Sequence, residues 1–180
     1  MAPEGRVSFI TNRRIYEHVV LEAVPSAQRF LWIATADIKD LYVDSNGPRM
    51  VPFLEVLADL IGNGVEVRLI HAREPGPAFR RDFDRFPALI GGLERVLCPR
   101  VHFKCVVVDG EFAYSGSANL TGAGMGAKSD TRRNIEAGFV TRDPALVAAV
   151  MGLFDRVWMG HYCTECGRRE YCGDPIDQNP

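Results

Sequence analysis

The residues with the clearest chemical potential lie in one short segment of the sequence. His102 and Lys104 are two positions apart, so their side chains share a face if the segment is a strand. Gly116, Ser117 and Asn119 follow closely. A phosphodiester needs a nucleophile, donors for its non-bridging oxygens and an acid for the leaving oxygen. Imidazole, ammonium, hydroxyl and amide groups supply these functions, so the pattern predicts a site that holds and attacks a phosphate.

A lysine is unexpected in the otherwise apolar run 101–108, because buried lysines need a carboxylate or a visiting anion as partner. Asn134 and Glu136 repeat the two-residue spacing on a later segment. Glu136 is the candidate to accept a ring N–H of His102 and fix its tautomer. Each residue alone is more typical of an ordinary structural role. Their convergence at fixed offsets favours a site.

The surrounding elements alternate between helix and strand. Asp109-Gly110 predicts a tight hairpin, and Asp143-Pro144 predicts a capped helix whose apolar face includes Leu146. We expect an α/β fold with a mixed β-sheet flanked by helices, an α-β-α sandwich. The predicted helices are 12–24, 51–61, part of 77–93 and the stretch after 143, and the predicted strands are 29–36, 65–71, 101–108, 111–115 and 135–140.

Composition is that of a soluble globular protein, with 180 residues, 47% hydrophobic, 24% charged and a net charge of −2. This balance gives no global basic field that would indicate nucleic acid. Basic residues cluster only locally, and each pair alone is more typical of a solvated surface. No signal peptide or spanning segment is evident, which predicts a cytoplasmic protein. The pairs are Arg13-Arg14, Arg80-Arg81, Arg132-Arg133 and Arg168-Arg169.

The sequence His102-x-Lys104-x4-Asp109-x6-Gly116-Ser117-x-Asn119 resembles the motif of the phospholipase D superfamily at every position. The segment from Asn134 to Glu136 resembles that family's acidic element. The layout is similar from about residue 12 to residue 158. Size and a single motif look most like the small bacterial endonuclease branch.

That resemblance implies a phospholipase D-like catalytic domain over 1–159 and a metal-independent phosphodiesterase. Two motif copies form one site: one histidine attacks phosphorus to give a phosphohistidine, and the other protonates the leaving group. Because this chain has one copy, a homodimer with a composite site follows as a hypothesis, with His102 in both roles. His71-Ala72-Arg73 is the nearest second candidate, but it lacks the lysine and the rest of the motif. Asp109, a motif residue, is expected to serve structure because its strand parity differs from that of His102.

The segment 160–180 is rich in cysteine and histidine. His161, Cys163, Cys166 and Cys172 are ligands of zinc type, and a Cys3His set is an accepted structural site. We therefore predict a small zinc-knuckle-like tail. The alternatives are reduced free thiols, or a set without His161 that another residue or a water completes. Cys98 and Cys105 are expected in or near the core.

Three functions remain open at this point. The first is a nuclease that cleaves DNA or RNA without a catalytic metal. The second is phospholipid hydrolysis or phosphatidyl transfer, for which we find no basic amphipathic helix. The third is a non-catalytic module that binds nucleic acid, which would not need His102. The sequence fixes the type of reaction better than the substrate.

Overall fold

A computed structural model describes residues 6–39, 41–44 and 49–176. Within these residues, seven strands form one sheet in the order β1-β9-β8-β7-β2-β5-β6, and β3 and β4 form a separate ribbon. The strands are β1 (Val7–Thr11), β2 (Phe30–Thr35), β3 (Tyr42–Asp44), β4 (Met50–Pro52), β5 (Glu66–His71), β6 (Leu93–Leu97), β7 (Lys104–Val108), β8 (Phe112–Gly116) and β9 (Ala137–Thr141).

Five α-helices accompany the sheet in the described part of the chain. The first continues as a π-helix over Tyr16–Ala23 and a 3-10 turn over Val24–Ser26, and a second 3-10 turn covers Arg169–Tyr171. The α-helices are α1 (Arg13–Ile15), α2 (Phe53–Gly62), α3 (Pro77–Asp84), α4 (Pro87–Gly92) and α5 (Pro144–Trp158).

The sheet is mixed, as the sequence predicted. β2, β5 and β6 are parallel, whereas β7, β8, β9 and β1 are joined by antiparallel pairs. One face of the sheet packs against α1 and α2, in a core that includes Leu31, Leu57 and Val106. The other face packs on α5 through Val147 and Phe154. The α-β-α layering of the prediction is therefore confirmed.

Two local predictions are confirmed, the first with a difference in length. Asp109 and Gly110 both have positive φ, 54° and 71°, in a tight turn closed by a hydrogen bond from Glu111 N to the Val108 carbonyl oxygen at 3.0 Å. Val108 pairs with Phe112, so the connection has three residues rather than the two predicted, and the returning strand starts at Phe112 rather than at Glu111. The Asp143 carboxylate accepts hydrogen bonds from Ala145 N and Leu146 N, so it caps α5. The assignment of Leu146 to the buried face is wrong, because its side chain is 45% exposed.

Candidate active site

His102 and Lys104 lie together at one end of the sheet. His102 is exposed and precedes β7, which starts at Lys104 rather than at Val101 as predicted. Lys104 is 6% exposed, and its Nζ donates to the carbonyl oxygen of His102 at 2.7 Å and lies 3.3 Å from Nδ1 of the same residue. Burial lowers the pKa of Lys104, opposed by the smaller effect of the negative charge of Glu136. The ammonium is thus held beside an accessible imidazole.

Ser117 and Glu136 meet between the end of β8 and the start of β9. The Ser117 hydroxyl donates to Oε2 of Glu136 and accepts from Ala137 N at 3.1 Å. The other carboxylate oxygen accepts from Nδ2 of Asn134 at 3.0 Å. Both oxygens of Glu136 are therefore engaged. No hydrogen bond joins Glu136 to His102 among the described residues, so its effect on the imidazole tautomer stays a prediction.

Asn119 is oriented by the chain that follows β2. Its Oδ1 accepts from the backbone N–H groups of Ala36 and Asp37, each at 3.2 Å. Because the oxygen is used in this way, the amide nitrogen is the group that Asn119 can offer to a phosphate oxygen. Its donor role towards a phosphate stays a prediction.

Gly116 is required by close packing around the site. It pairs with Lys104 on one side and with Gly138 on the other. A Cβ at Gly116 would lie 2.4 Å from Oη of Tyr114 and 2.6 Å from the carbonyl oxygen of Ala137. Tyr114 is fully buried, and its hydroxyl accepts a long bond of 3.4 Å from Ala118 N. Burial raises the pKa of Tyr114 to about 12. The tyrosine fills the space that the two glycines leave and supports the backbone before Ser117.

Asp109 lies at the opposite end of β7, five residues and about 16 Å from Lys104 along the strand. Its carboxylate accepts from the backbone N–H groups of Gln28, Arg29 and Phe30 at 2.8 to 2.9 Å. Burial alone would raise the pKa of Asp109, but these three bonds and the Arg29 guanidinium lower it overall. The structure places Asp109 away from the other motif residues, in a contact that joins the hairpin to β2.

Asn12 is a site residue that sequence reasoning did not single out. Its Oδ1 accepts from Glu136 N at 2.9 Å, and its own N–H donates to the Glu136 carbonyl oxygen at 3.0 Å. Its φ of 50° with a ψ of −122° lies outside the left-handed helical region that asparagine commonly adopts, so the hydrogen bonds to Glu136 hold a strained backbone. The contact spans 124 positions of sequence, and no local pattern reports such a pairing.

Together these residues form a cluster suited to phosphodiester chemistry. An exposed imidazole stands beside a buried ammonium, and hydroxyl and amide donors lie on the neighbouring strand ends. Residues 20–158 match the family described as cardiolipin synthase, PLD-like domain. The chain belongs to this PLD-like family. The match includes every predicted site residue from His102 to Glu136.

One relative of known sequence is named for a lipid substrate. The chain is 30% identical over 105 residues to a mitochondrial cardiolipin hydrolase of Chlamydomonas reinhardtii, which covers 58% of this chain and 44% of that protein. The chain thus spans less than half the length of this relative.

No helix in the described residues is long and apolar enough to cross a membrane.

Solved structures share the fold at low sequence identity. The phospholipase D family member Nuc from Salmonella typhimurium superimposes with a TM-score of 0.62 at 18% identity, over 84% of this chain and 93% of that one. NucT from Helicobacter pylori gives 0.61 at 13%, over 84% and 94%. Phosphatidylserine synthase from Haemophilus influenzae Rd KW20 gives 0.57 at 22%, over 84% and 38%.

The described residues of the tail beyond the PLD-like match do not show the predicted zinc site, which stays a prediction. Among the described residues, no three His, Cys, Asp or Glu side chains form a group that could hold a metal. His161 is exposed, and Cys172 Sγ faces the carbonyl oxygen of Leu97 at 3.6 Å. The pKa of Cys166 is lowered, first by a backbone hydrogen bond from Arg168. The four predicted ligands, His161, Cys163, Cys166 and Cys172, are therefore not gathered around one point.

The tail packs instead against the chain that leaves β6. Leu97 N donates to Asp174 at 2.8 Å, and Arg168 donates to the Pro99 carbonyl oxygen at 3.1 Å. Cys98 lies here, half-buried and packed against the core, as expected; burial raises its pKa, and the nearby Cys172 adds to this. Cys105 is in the core as expected, and burial raises its pKa to about 12.

Proposed function

We propose that this PLD-like protein is a phosphodiesterase that cleaves DNA or RNA through a phosphohistidine, without a catalytic metal. The observation that carries the proposal is the pairing of an exposed His102 with the buried Lys104, flanked by Ser117 and Asn119. Lysine at this depth needs an anionic partner, and a bound phosphate supplies one beside the nucleophile.

In the proposed reaction, the unprotonated nitrogen of the His102 imidazole attacks phosphorus. The bond from phosphorus to the leaving oxygen breaks, and a second histidine gives its proton to that oxygen. Lys104 and the Asn119 amide donate to the non-bridging oxygens as charge develops. Water then attacks the phosphohistidine, loses a proton to the second histidine and releases His102.

The second histidine is proposed to be His102 of a second copy. His71, the nearest alternative in the chain, is 2% exposed, and its Nδ1 is 2.7 Å from the Arg73 carbonyl oxygen. A surface for the second copy is available on the α5 side of the sheet. Phe9 and Phe139 pair across β1 and β9, with ring centroids 5.2 Å apart, and both are more than half exposed. We infer that this exposed aromatic pair lies in the interface with the second copy.

Cleavage of single- and double-stranded oligonucleotides in EDTA tests the reaction. We expect turnover without added metal, an acid-labile phosphoryl group on the protein, and loss of turnover in His102→Ala. His161→Ala, an exposed histidine in the tail, is the matched control and should retain activity. A requirement for divalent metal, or full activity of His102→Ala, would refute the mechanism. A brief exposure with a parallel unfolding curve controls for any effect of EDTA on the fold.

Phospholipid hydrolysis or phosphatidyl transfer is the second candidate, favoured by the family description and by the cardiolipin hydrolase relative. It uses the same residues on another phosphodiester. Vesicles containing cardiolipin, assayed beside the oligonucleotides, separate the two substrates. Binding of nucleic acid with no turnover on either would indicate the non-catalytic module instead.

The composite site between two copies can be tested separately from the reaction. Phe139→Asp should yield a monomer by sedimentation and lose activity in parallel, because the second His102 is then missing. A fully active monomer would contradict the composite site.

Zinc in the tail has a separate test. Elemental analysis of the purified protein, compared with the Cys163→Ser and Cys166→Ser variants, measures its zinc content directly.

A further inference from the structure

The loop 120–133 has both ends in the active site. It begins directly after Asn119 and ends directly before Asn134, and these residues carry two of the polar side chains described above. Within the loop, Met125 N donates to the Thr121 carbonyl oxygen at 2.9 Å, and Asn134 N donates to the Ala123 carbonyl oxygen at 3.0 Å. The loop is therefore folded back on itself at the rim of the site.

The start of α1 packs against this loop. Arg13 donates through Nη1 to the Ala127 carbonyl oxygen at 3.4 Å. Gly126 has a φ of 81°, and a Cβ there would lie 2.5 Å from the Asn12 carbonyl oxygen. Because Asn12 also holds the backbone of Glu136, the helix start and the loop form one continuous surface next to the catalytic cluster.

That surface is locally basic. The segments 12–17 and 121–135 contain five Lys and Arg residues against two Asp and Glu, whereas the whole chain has 21 against 23. Arg13 pairs with Glu17 at 3.4 Å, and Arg133 pairs with Asp130 at 2.8 Å. Three cations are left over, Arg14, Lys128 and Arg132, and we call them the basic rim.

The basic rim is exposed, and its three side chains face no carboxylate in an ion pair among the described residues. Arg14 instead contacts Nε2 of His18 at 3.3 Å, and Arg132 donates to the Ser129 hydroxyl at 3.2 Å. Cations without a counter-charge can pair with the phosphates of an arriving polyanion, so this surface is suited to a phosphate-rich ligand.

We propose that the basic rim binds phosphates of a nucleic acid strand that flank the phosphodiester being cleaved. This rests on the proposed function and specifies how its substrate is selected. A polymer presents phosphates on both sides of the scissile one, which a small diester lacks. A membrane surface fits less well, because membrane-bound segments pair cations with an apolar face. In 121–135 one large apolar side chain, Met125, is buried and the other, Ile135, is exposed, so a single isoleucine stands where a membrane-binding face needs several apolar side chains.

The test is the double variant Lys128→Glu/Arg132→Glu, with Arg142→Glu as the matched control. Arg142 is exposed and follows β9 at the end away from the site. Binding of a labelled single-stranded oligonucleotide is measured by fluorescence anisotropy in the His102→Ala background, so the readout does not depend on turnover. We expect the double variant to bind on the order of tenfold more weakly, and the slope of log K against log salt to fall by about 1.4. The control should change neither.

A second experiment measures turnover on two substrates. In the His102 protein, the rim variant should cleave bis(p-nitrophenyl) phosphate as the parent does, because that diester has no flanking phosphate, while KM for the oligonucleotide rises. Unchanged oligonucleotide affinity and salt slope would overturn the rim proposal even if the parent is an active nuclease. Weaker action on cardiolipin vesicles with unchanged oligonucleotide binding would also overturn it and assign the rim to membranes. Absence of turnover in the parent would refute the proposed function, and the anisotropy result would still decide the rim.

Discussion

Asp109 is the motif residue whose replacement should lower the stability of the fold while leaving the rate of catalysis nearly unchanged. Asp109→Asn keeps an oxygen that can accept from Arg29 N and Phe30 N, but it places an amide N–H group against Gln28 N. A hydrogen bond to a charged acceptor contributes about 1.5–3 kcal/mol and a neutral one about 0.5–1.5. Allowing for the exposure of Gln28 and Arg29, we expect a loss of about 2 kcal/mol, or about 4–8 °C in Tm.

Asp109→Ala should cost more than Asp109→Asn. It removes all three acceptor contacts, and a side chain without local hydrogen bonding at a φ of 54° adds about 1–2 kcal/mol. Asparagine tolerates this conformation before Gly110, so the hairpin turn itself is retained. The predicted order of stability is therefore wild type, then Asp109→Asn, then Asp109→Ala.

The pH dependence gives an independent check. The three N–H bonds hold the folded pKa of Asp109 below its unfolded value, so their contribution is present above about pH 4 and is lost as the pH falls through the folded pKa. Urea unfolding should show the full difference between wild type and Asp109→Asn near neutral pH and a smaller one in acid. At temperatures where both are folded, kcat should agree within about twofold, since the carboxylate is about 16 Å from Lys104. Equal stabilities, or a large loss of kcat in a folded variant, would refute this reasoning.

Three further predictions follow from the site end of the sheet. Gly116→Ala should destabilise by about 1–3 kcal/mol in urea unfolding, because its Cβ would overlap Tyr114 Oη and the Ala137 carbonyl oxygen; an unchanged midpoint would contradict the packing. Because burial lowers the pKa of Lys104, we expect activity to decline as the pH rises, starting below the ordinary lysine pKa of about 10.4. A pH–rate profile that stays flat up to about pH 10.4 would contradict this expectation. Burial also lowers the pKa of His71, so stability should be lost as the pH falls from about 6.5 towards the folded value, and His71→Gln should flatten this dependence.

Local signals account for what could be predicted from the sequence. The hairpin at Asp109-Gly110 and the cap at Asp143 each depend on one or two residues and their immediate neighbours. The central strands are recognisable because both of their faces are buried. The edge strands β1 and β6 were not predicted as strands, since short, half-exposed segments owe their conformation to the neighbour they pair with.

The parts of the site that sequence reasoning missed are all long-range contacts. Asn12 reaches Glu136, and the backbone of Ala36 fixes Asn119 across 83 positions. Long-range contacts also bear on the predicted zinc ligands. Their spacing was compatible with a metal, but the thiol of Cys172 and the side chain of Arg168 are used in contacts with the 97–99 segment, which is distant in sequence.

The attachment of the tail to Leu97 also has a consequence for solubility. β6 is the outermost strand on its side of the sheet, so its free backbone groups are a template on which a strand from another molecule can add. Asp174 accepts from Leu97 N, and the Cys172 thiol contacts the Leu97 carbonyl oxygen. Both main-chain groups of that residue are thus occupied from within the same chain. The cysteine-rich tail shields one end of an otherwise open sheet edge, which disfavours the growth of intermolecular β-structure there.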